Sequence, residues 1–282
     1  MSDPRSAVRA KRSLSQNFLT DPNLRRKVVE ELEASPEDAV LEIGAGHGEL
    51  GSLLVDRVAE LVMVEKDDAL VSGLESRFAG HGGVRVVHGD ALELNLTSLV
   101  PRGRTYRVLS NLPYAITTPL LFRILELRPP PARVVVTVQI EVAERIVAAP
   151  GTKVYGALSV GVQVRGTARV AFRIGRMAFR PVPAVDSAVV VIEPAPKALP
   201  AKEETALRQL TRVAFGWRRK QLQKILRSAP EYRLTPEEVA EVAVAVGFDA
   251  RARPETLDPA TFLSLARALD RVGREWGGDP SC

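Results

Sequence analysis

The amino-acid sequence predicts a doubly wound α/β domain followed by a small helical one, and three observations carry that prediction. The runs Ala39–Ile43, Leu61–Val64, Val84–Val87, Val108–Ser110 and Val134–Val138 are apolar rather than alternating, as strands buried on both faces of a parallel sheet must be. Segments of helical periodicity, such as Leu50–Val58 and Ala69–Phe78, separate them, which is the pattern of a sheet sandwiched between helices. After Pro194 the texture changes: PAPKALPAKEE has no apolar period, and every recognisable element beyond it is helical.

The elements follow in chain order. Asp21-Pro22 supplies an N-cap carboxylate and a proline at the first helical position, so a helix should run from Asn23 to about Leu32. The β/α alternation then occupies the chain to the proline-rich linker, giving a first domain over residues 1–196. In the second domain, residues 202–272, helix starts are written at Thr235-Pro236, with Glu237 and Glu238 behind it, and at Asp258-Pro259, while Gly247 stands where a helix ends. The tail 273–282 is expected to fray.

With 282 residues, 45% hydrophobic and 26% charged, the chain suits one large or two unequal domains and is too apolar to be mainly disordered. No stretch approaches the roughly 18 apolar residues of a membrane helix, and the N-terminus has no apolar leader core, so no membrane association or export is expected. The single cysteine is Cys282, and His47, His81 and His88 lack ligand spacing; no metal is expected. Net charge is +5, unevenly placed. No acid lies between Glu144 and Asp186, where Lys153, Arg165, Arg169, Arg173, Arg176 and Arg180 fall, nor between Glu204 and Glu231, where Arg208, Arg212, Arg218, Arg219, Lys220, Lys224 and Arg227 fall. Acid-free basic stretches suit a phosphate backbone. Arg218, Arg219, Lys220 and Lys224 are the candidate RNA contacts.

The chemistry begins at Val40–Gly48, a strand entering a glycine-rich turn ahead of an expected helix. Gly44 and Gly46 let the backbone approach a nucleotide-like ligand. The dinucleotide fingerprint needs a further glycine where Glu49 stands, which argues against a pyrophosphate cofactor. Glu65, ending the next strand, can accept from ribose hydroxyls. Asp90, after the third, can accept from an adenine amine. The fourth strand ends in Asn111-Leu112-Pro113-Tyr114. There an asparagine oxygen and the following carbonyl can accept both hydrogens of a planar exocyclic amine, with Pro113 stiffening the turn and Tyr114 offering a stacking face.

That tetrapeptide, the loop Glu42–Gly48, Gln16-Asn17-Phe18-Leu19 and the segment Phe179–Ser187 (FRPVPAVDS) together resemble the rRNA adenine N6-dimethyltransferases. The resemblance spans about Lys11 to Ala268. Asn111–Leu121, Lys153–Val160 and Arg253–Leu257 with the following DPATF are most similar to the bacterial small-subunit (KsgA-type) branch. Ser13-Leu14-Ser15 departs from that branch's usual phenylalanine-glycine in a way shared with the large-subunit erythromycin-resistance methylases. The resemblance implies a Rossmann-like S-adenosylmethionine-dependent domain that releases S-adenosylhomocysteine. It implies cofactor contacts from Asn17, Leu19, Gly44, Gly46, Glu65, Asp90 and Asn111, and an N-terminal lid. Catalytic roles fall to Asn111, Leu112, Pro113, Tyr114 and Phe179, the last sandwiching an extruded adenine against Tyr114.

The mechanism expected from these parts is in-line transfer to a flipped base, with Ala115 and Thr117 leaving room for an amine that already bears a methyl. The expected activity is dimethylation of two adjacent adenosines near the 3′ end of small-subunit (16S) rRNA during late subunit assembly, by a cytoplasmic monomer. Large-subunit (23S) methylation conferring macrolide resistance stays open, as does a non-methylating RNA-binding assembly or transcription factor on the same fold; an oxidoreductase is the weakest alternative.

Overall fold

The computed structural model describes residues 17–100 and 102–271. The expected lid ahead of Asn17, with Gln16 and Ser13–Ser15, and the expected tail 273–282 lie outside the described residues.

In chain order the strands are β1 (Phe18–Leu19), β2 (Ala39–Ile43), β3 (Glu60–Glu65), β4 (Val84–His88), β5 (Tyr106–Asn111), β6 (Arg133–Gln139), β7 (Gly166–Ile174), β8 (Phe179–Arg180) and β9 (Ser187–Pro194). The helices are α1 (Pro22–Glu30), α2 (Asp68–Phe78), α3 (Thr117–Leu125), α4 (Ile140–Ile146), α5 (Ala157–Gln163), α6 (Ala201–Gly216), α7 (Leu222–Ser228), α8 (Pro236–Val246) and α9 (Pro259–Arg271). They form two compact units, Met1–Ala143 with Gly166–Ala198, and Glu144–Arg165 with the chain from Leu199 onward.

The first unit is built on a seven-stranded sheet of order β4-β3-β2-β5-β6-β9-β7. β2 pairs in parallel with both β3 and β5, so the chain winds outward through β3 and β4 and then returns to β5 and β6 on the other side. The strand order reverses between β2 and β5, and the carboxyl ends of those two strands open the crevice where ligands bind in such sheets. Ser110 Oγ donates to the Ile43 carbonyl at 2.6 Å across this junction. β9 adds antiparallel to β6, and β7 antiparallel to β9 at the sheet edge, an extension that the basic, alternating sequence of β7 did not announce.

Two local expectations need correction. No α-helix follows β2: Gly51–Leu53 is a 3₁₀ turn, with N–H bonds alternating between the third and fourth preceding carbonyls, as in Leu54 to Gly51 and Val55 to Gly51, until Asp56 turns to φ +60°. A helical side chain at Gly51 is also excluded, since its Cβ would meet Glu42 Oε2 at 2.5 Å and the Met63 side chain at 2.6 Å. The second difference is the domain boundary. Residues 144–165, expected in the first domain, fold with the helical unit, because the apolar α5 and Tyr155 belong to the core that α6, α7 and α9 complete. Tyr155 donates to the Leu257 carbonyl at 2.8 Å, and Phe215 stacks on Phe262 at 5.5 Å.

The caps form where the sequence writes them. Asp21 accepts from the Asn23 and Leu24 amides, Thr235 and Glu238 make a reciprocal capping box, and Gly247 ends α8 in the left-handed region at φ +81°.

Candidate active site

A cavity of about 250 Å³ lies at the carboxyl ends of β2, β3 and β5. It gathers Asn17, Gly44, Gly46, Glu65, Asp90, Asn111, Leu112, Pro113 and Tyr114, all expected from the sequence, from five separate stretches of chain.

The glycine turn after β2 brings backbone against this space. The Gly44 and Ala45 amides bond to the Val64 carbonyl at 2.8 and 3.1 Å, which ties the turn to β3. Gly46 sits at φ +60° under the Phe18 ring, and a Cβ there would meet the ring at 2.9 Å. Glu49, in the place of a fingerprint glycine, makes an ion pair with Arg25. A carboxylate at that turn opposes a phosphate, while the glycines still admit an uncharged nucleoside.

Glu65 is buried and held from three sides: Oε2 accepts from the Gly46 amide at 2.8 Å, and Oε1 from the Lys66 and Asp67 amides at 2.8 and 2.9 Å. Asp90 accepts from the Leu92 amide at 2.8 Å and from Lys66 Nζ at 2.6 Å. The lysine hydrogen bond, followed by the Leu92 amide, holds the Asp90 carboxyl below its ordinary range. These two fixed carboxylates keep unused lone pairs, as a ribose diol and an amino-substituted base require, and Ile43, Val64 and Leu92 give the cavity apolar wall.

The Asn111–Tyr114 turn is tied to both of the distant motifs. Asn111 Nδ2 donates to the Asn17 carbonyl at 2.7 Å, so the amide nitrogen is engaged and Oδ1 is the atom left to accept. The Pro113 carbonyl accepts from the Ile116 amide and from Thr117 Oγ1, both at 3.1 Å, closing the turn. The Tyr114 hydroxyl shares a 2.7 Å hydrogen bond with Ser187 Oγ, and burial pushes its pKa up. Meanwhile β1 and β8 pair antiparallel, Phe18 with Arg180 and Leu19 with Phe179, and Thr20 adds two bonds to the Ala178 carbonyl. Residues 17–20, 111–114 and 178–187 therefore form one bonded assembly.

Several expected residues are placed elsewhere. Phe179 is 0% exposed and packs in the core with Leu19, Ile174 and Val189; it does not line the cavity, so it is corrected from a stacking residue to a core anchor for β8. Leu19 is likewise core, and its carbonyl accepts from Arg25 Nε at 2.7 Å; Phe18 lines the cavity in its stead. Ala115 lines the cavity, but Thr117 is buried on the Pro113 carbonyl.

The basic stretches are less free than their composition suggests. Arg165 is buried against Glu204, Arg169 pairs with Glu31, and Arg218 pairs with Glu255 and donates to the Thr152 carbonyl. Arg219, Lys220 and Lys224 are exposed. Among residues the sequence reading missed, Lys66 is the clearest. A cation directly after a strand-end acid is its only signal. Ser187 was legible only as the end of a motif.

A doubly wound sheet whose switch-point cavity has a glycine turn, two ordered carboxylates and an Asn-Leu-Pro-Tyr turn defines a nucleoside-cofactor methyltransferase. The chain belongs to the ribosomal RNA adenine dimethylase family, whose model matches residues 7–270, and that family uses S-adenosylmethionine. Its curated relatives include proteins named ribosomal RNA small subunit methyltransferase A. The one from Pelotomaculum thermopropionicum is 40% identical over 96% of this chain and 95% of its own length. The one from Geobacter metallireducens is 38% identical over 94% and 98%. Among solved structures, a dimethyladenosine transferase from Plasmodium falciparum superposes with a TM-score of 0.78 at 24% identity, covering 92% of this chain and 99% of that one. The 23S rRNA methyltransferase ErmE gives 0.66 at 24% identity, covering 90% and 99%. At these identities the two structures are similar in fold. Among the described residues no helix is long and apolar enough to cross a membrane, and no group of metal-ligating side chains occurs.

Proposed function

We propose that this chain dimethylates the N6 amines of two adjacent adenosines near the 3′ end of small-subunit rRNA, acting as a cytoplasmic monomer on an assembling subunit. The observation that carries the reading is the Asn111 amide, pinned through Nδ2 on the Asn17 carbonyl so that Oδ1 is the free acceptor at the cavity. The curated relatives named for the small subunit favour that substrate over the large one.

The residues present fit S-adenosylmethionine: Glu65 would hold the ribose, Asp90 the adenine amine, and the Phe18-covered glycine turn leaves the backbone exposed to the ligand. When bound, that cofactor supplies an electrophilic methyl on a sulfonium. Asn111 Oδ1 and the Leu112 carbonyl take the two hydrogens of the target amine, which draws its lone pair out of conjugation and aims it. Tyr114, its hydroxyl fixed by Ser187, stacks on the extruded base. Attack on the methyl would leave the nitrogen cationic, and that cation is acidic enough to lose its proton to water, so no side chain here has to serve as a strong base. Incubating the protein with unmethylated small and large subunits and labelled S-adenosylmethionine, then mapping the label, tests the proposal. Label on adjacent small-subunit adenosines is expected; label on the large subunit, or none, overturns it.

A further inference from the structure

The turn between α6 and α7 carries an aromatic ring that the cofactor and amine machinery leaves unused. Trp217 is 39% exposed, the only large aromatic among the exposed apolar side chains of the described residues. Its neighbours on either side are Gly216, where an added Cβ would meet nothing within 4 Å, and Arg218. The Lys220 amide donates to the Trp217 carbonyl at 2.8 Å, closing a four-residue turn that holds Lys220 beside Trp217. An open cleft of about 500 Å³ is lined by Gly216, Trp217, Arg218, Arg219 and Lys220 alone. Arg218 is fixed on Glu255 and the Thr152 carbonyl, which makes the turn rigid. Arg219 and Lys220 are exposed and make no ion pair among the described residues. The indole likewise has no ring or hydrogen-bond partner among those residues.

Trp217 is not among the residues that build the core of this unit, and about two fifths of its surface stays open to solvent. Flanking it with two free cations on a rigid turn makes a surface that attracts a phosphate backbone and offers a flat π-face to what the backbone carries. We propose that Trp217 is a stacking platform for an unpaired base of the RNA substrate, with Arg219 and Lys220 holding the phosphates beside it. The site recognises single-stranded RNA and is distinct from the pocket that methylates. It rests on the rRNA reading above.

Stacking and phosphate contacts leave different signatures, and the test uses both. Binding to unmethylated small subunits is measured across a salt series for the wild type, Trp217→Ala, Trp217→Phe and Arg219→Ala. Trp217→Ala is expected to weaken binding about 5- to 150-fold with the salt slope unchanged, Trp217→Phe to recover most of the loss, and Arg219→Ala to lower the slope by about 0.7–0.9. In a Trp276→Phe background Trp217 is the sole tryptophan. Its fluorescence should then be quenched by a single-stranded RNA 12-mer and not by heparin, a polyanion without bases. Subunit binding within twofold of wild type for Trp217→Ala, or equal quenching by heparin, overturns the proposal. Failure of the wild type to bind small subunits at all overturns the rRNA reading itself.

Discussion

Replacing Glu42 by glutamine tests how the strand beneath the cofactor loop is charged. Glu42 is 2% exposed on β2, and its Oε2 has no hydrogen-bond partner among the described residues. Burial, reinforced by the neighbouring Glu65 carboxylate and partly offset by the Gly51 amide, raises its pKa from an ordinary 4.5 to about 8. The unfolded chain therefore releases this proton near pH 4.5, while the folded chain keeps it to about pH 8. Across that window the folded state binds more protons, so the slope of unfolding free energy against pH is negative, and stability is lost as pH rises, levelling above 8. The whole window corresponds to at most about 5 kcal/mol. Glu42→Gln cannot ionise and escapes the loss. Urea unfolding of both proteins from pH 4.5 to 9, followed by circular dichroism, should give curves that diverge in favour of Glu42→Gln as pH rises. Any constant offset from burying the second amide cancels in that difference. Parallel curves, with the gap changing by under about 0.5 kcal/mol, would mean that Glu42 is ionised in the folded state and the reasoning fails.

Other outcomes follow from the same geometry. Glu65→Ala should weaken S-adenosylmethionine binding at least 30-fold in calorimetry, since it removes a charged ribose acceptor and strands the Gly46, Lys66 and Asp67 amides, each a loss of about 1–3 kcal/mol; unchanged affinity in a folded variant would refute the assignment. Asn111→Ala should slow single-turnover methylation by about 10²-fold or more while small-subunit binding changes little, and a rate within threefold of wild type would exclude the amine clamp. Arg218→Ala should leave the salt slope of subunit binding unchanged and lower thermal stability, because its guanidinium is committed to Glu255 and Thr152; a slope reduced by about 0.7–0.9 would return it to the RNA surface.

Much of this site was legible because the residues that form it stand at the ends of recognisable strands. An apolar run marks a parallel strand, its last residue lies at the ligand-binding edge, and so Gly44, Glu65, Asp90 and Asn111 were placed by counting. The partners of charged side chains were not legible. Arg165 and Arg218 look alike in an acid-free run, but their acids, Glu204 and Glu255, lie 39 and 37 positions away. Only the packing of α5, α6 and the 3₁₀ turn at Pro254–Thr256 brings them together. The assignment of residues 144–165 failed for the same reason: an apolar helix does not declare which core it will complete.

The aromatic pair shows where motif reading reaches its limit. Leu19 and Phe179 stand opposite each other in the β1–β8 ladder, and successive side chains of a strand point to opposite faces. Once Leu19 and Phe179 turn into the core, Phe18 is directed to the other side, over Gly46. The motif position assigned to base stacking thus secures the strand that carries Arg180 and the loop to Ser187, and Ser187 in turn holds the Tyr114 hydroxyl. Phe179 is therefore connected to the Asn111–Tyr114 turn by two routes, the β1 ladder that presents the Asn17 carbonyl to Asn111 and the β8–β9 connection that presents Ser187 to Tyr114. Phe179→Leu should preserve most of the buried apolar volume and most of the methylation rate. Phe179→Ala, which leaves a cavity costing about 3–5 kcal/mol, should loosen both routes together and lower the rate without a compensating change in the affinity for free adenine. If Phe179→Leu abolished methylation in a protein of unchanged melting temperature, the ring itself would have to reach the substrate, and the core assignment would be wrong.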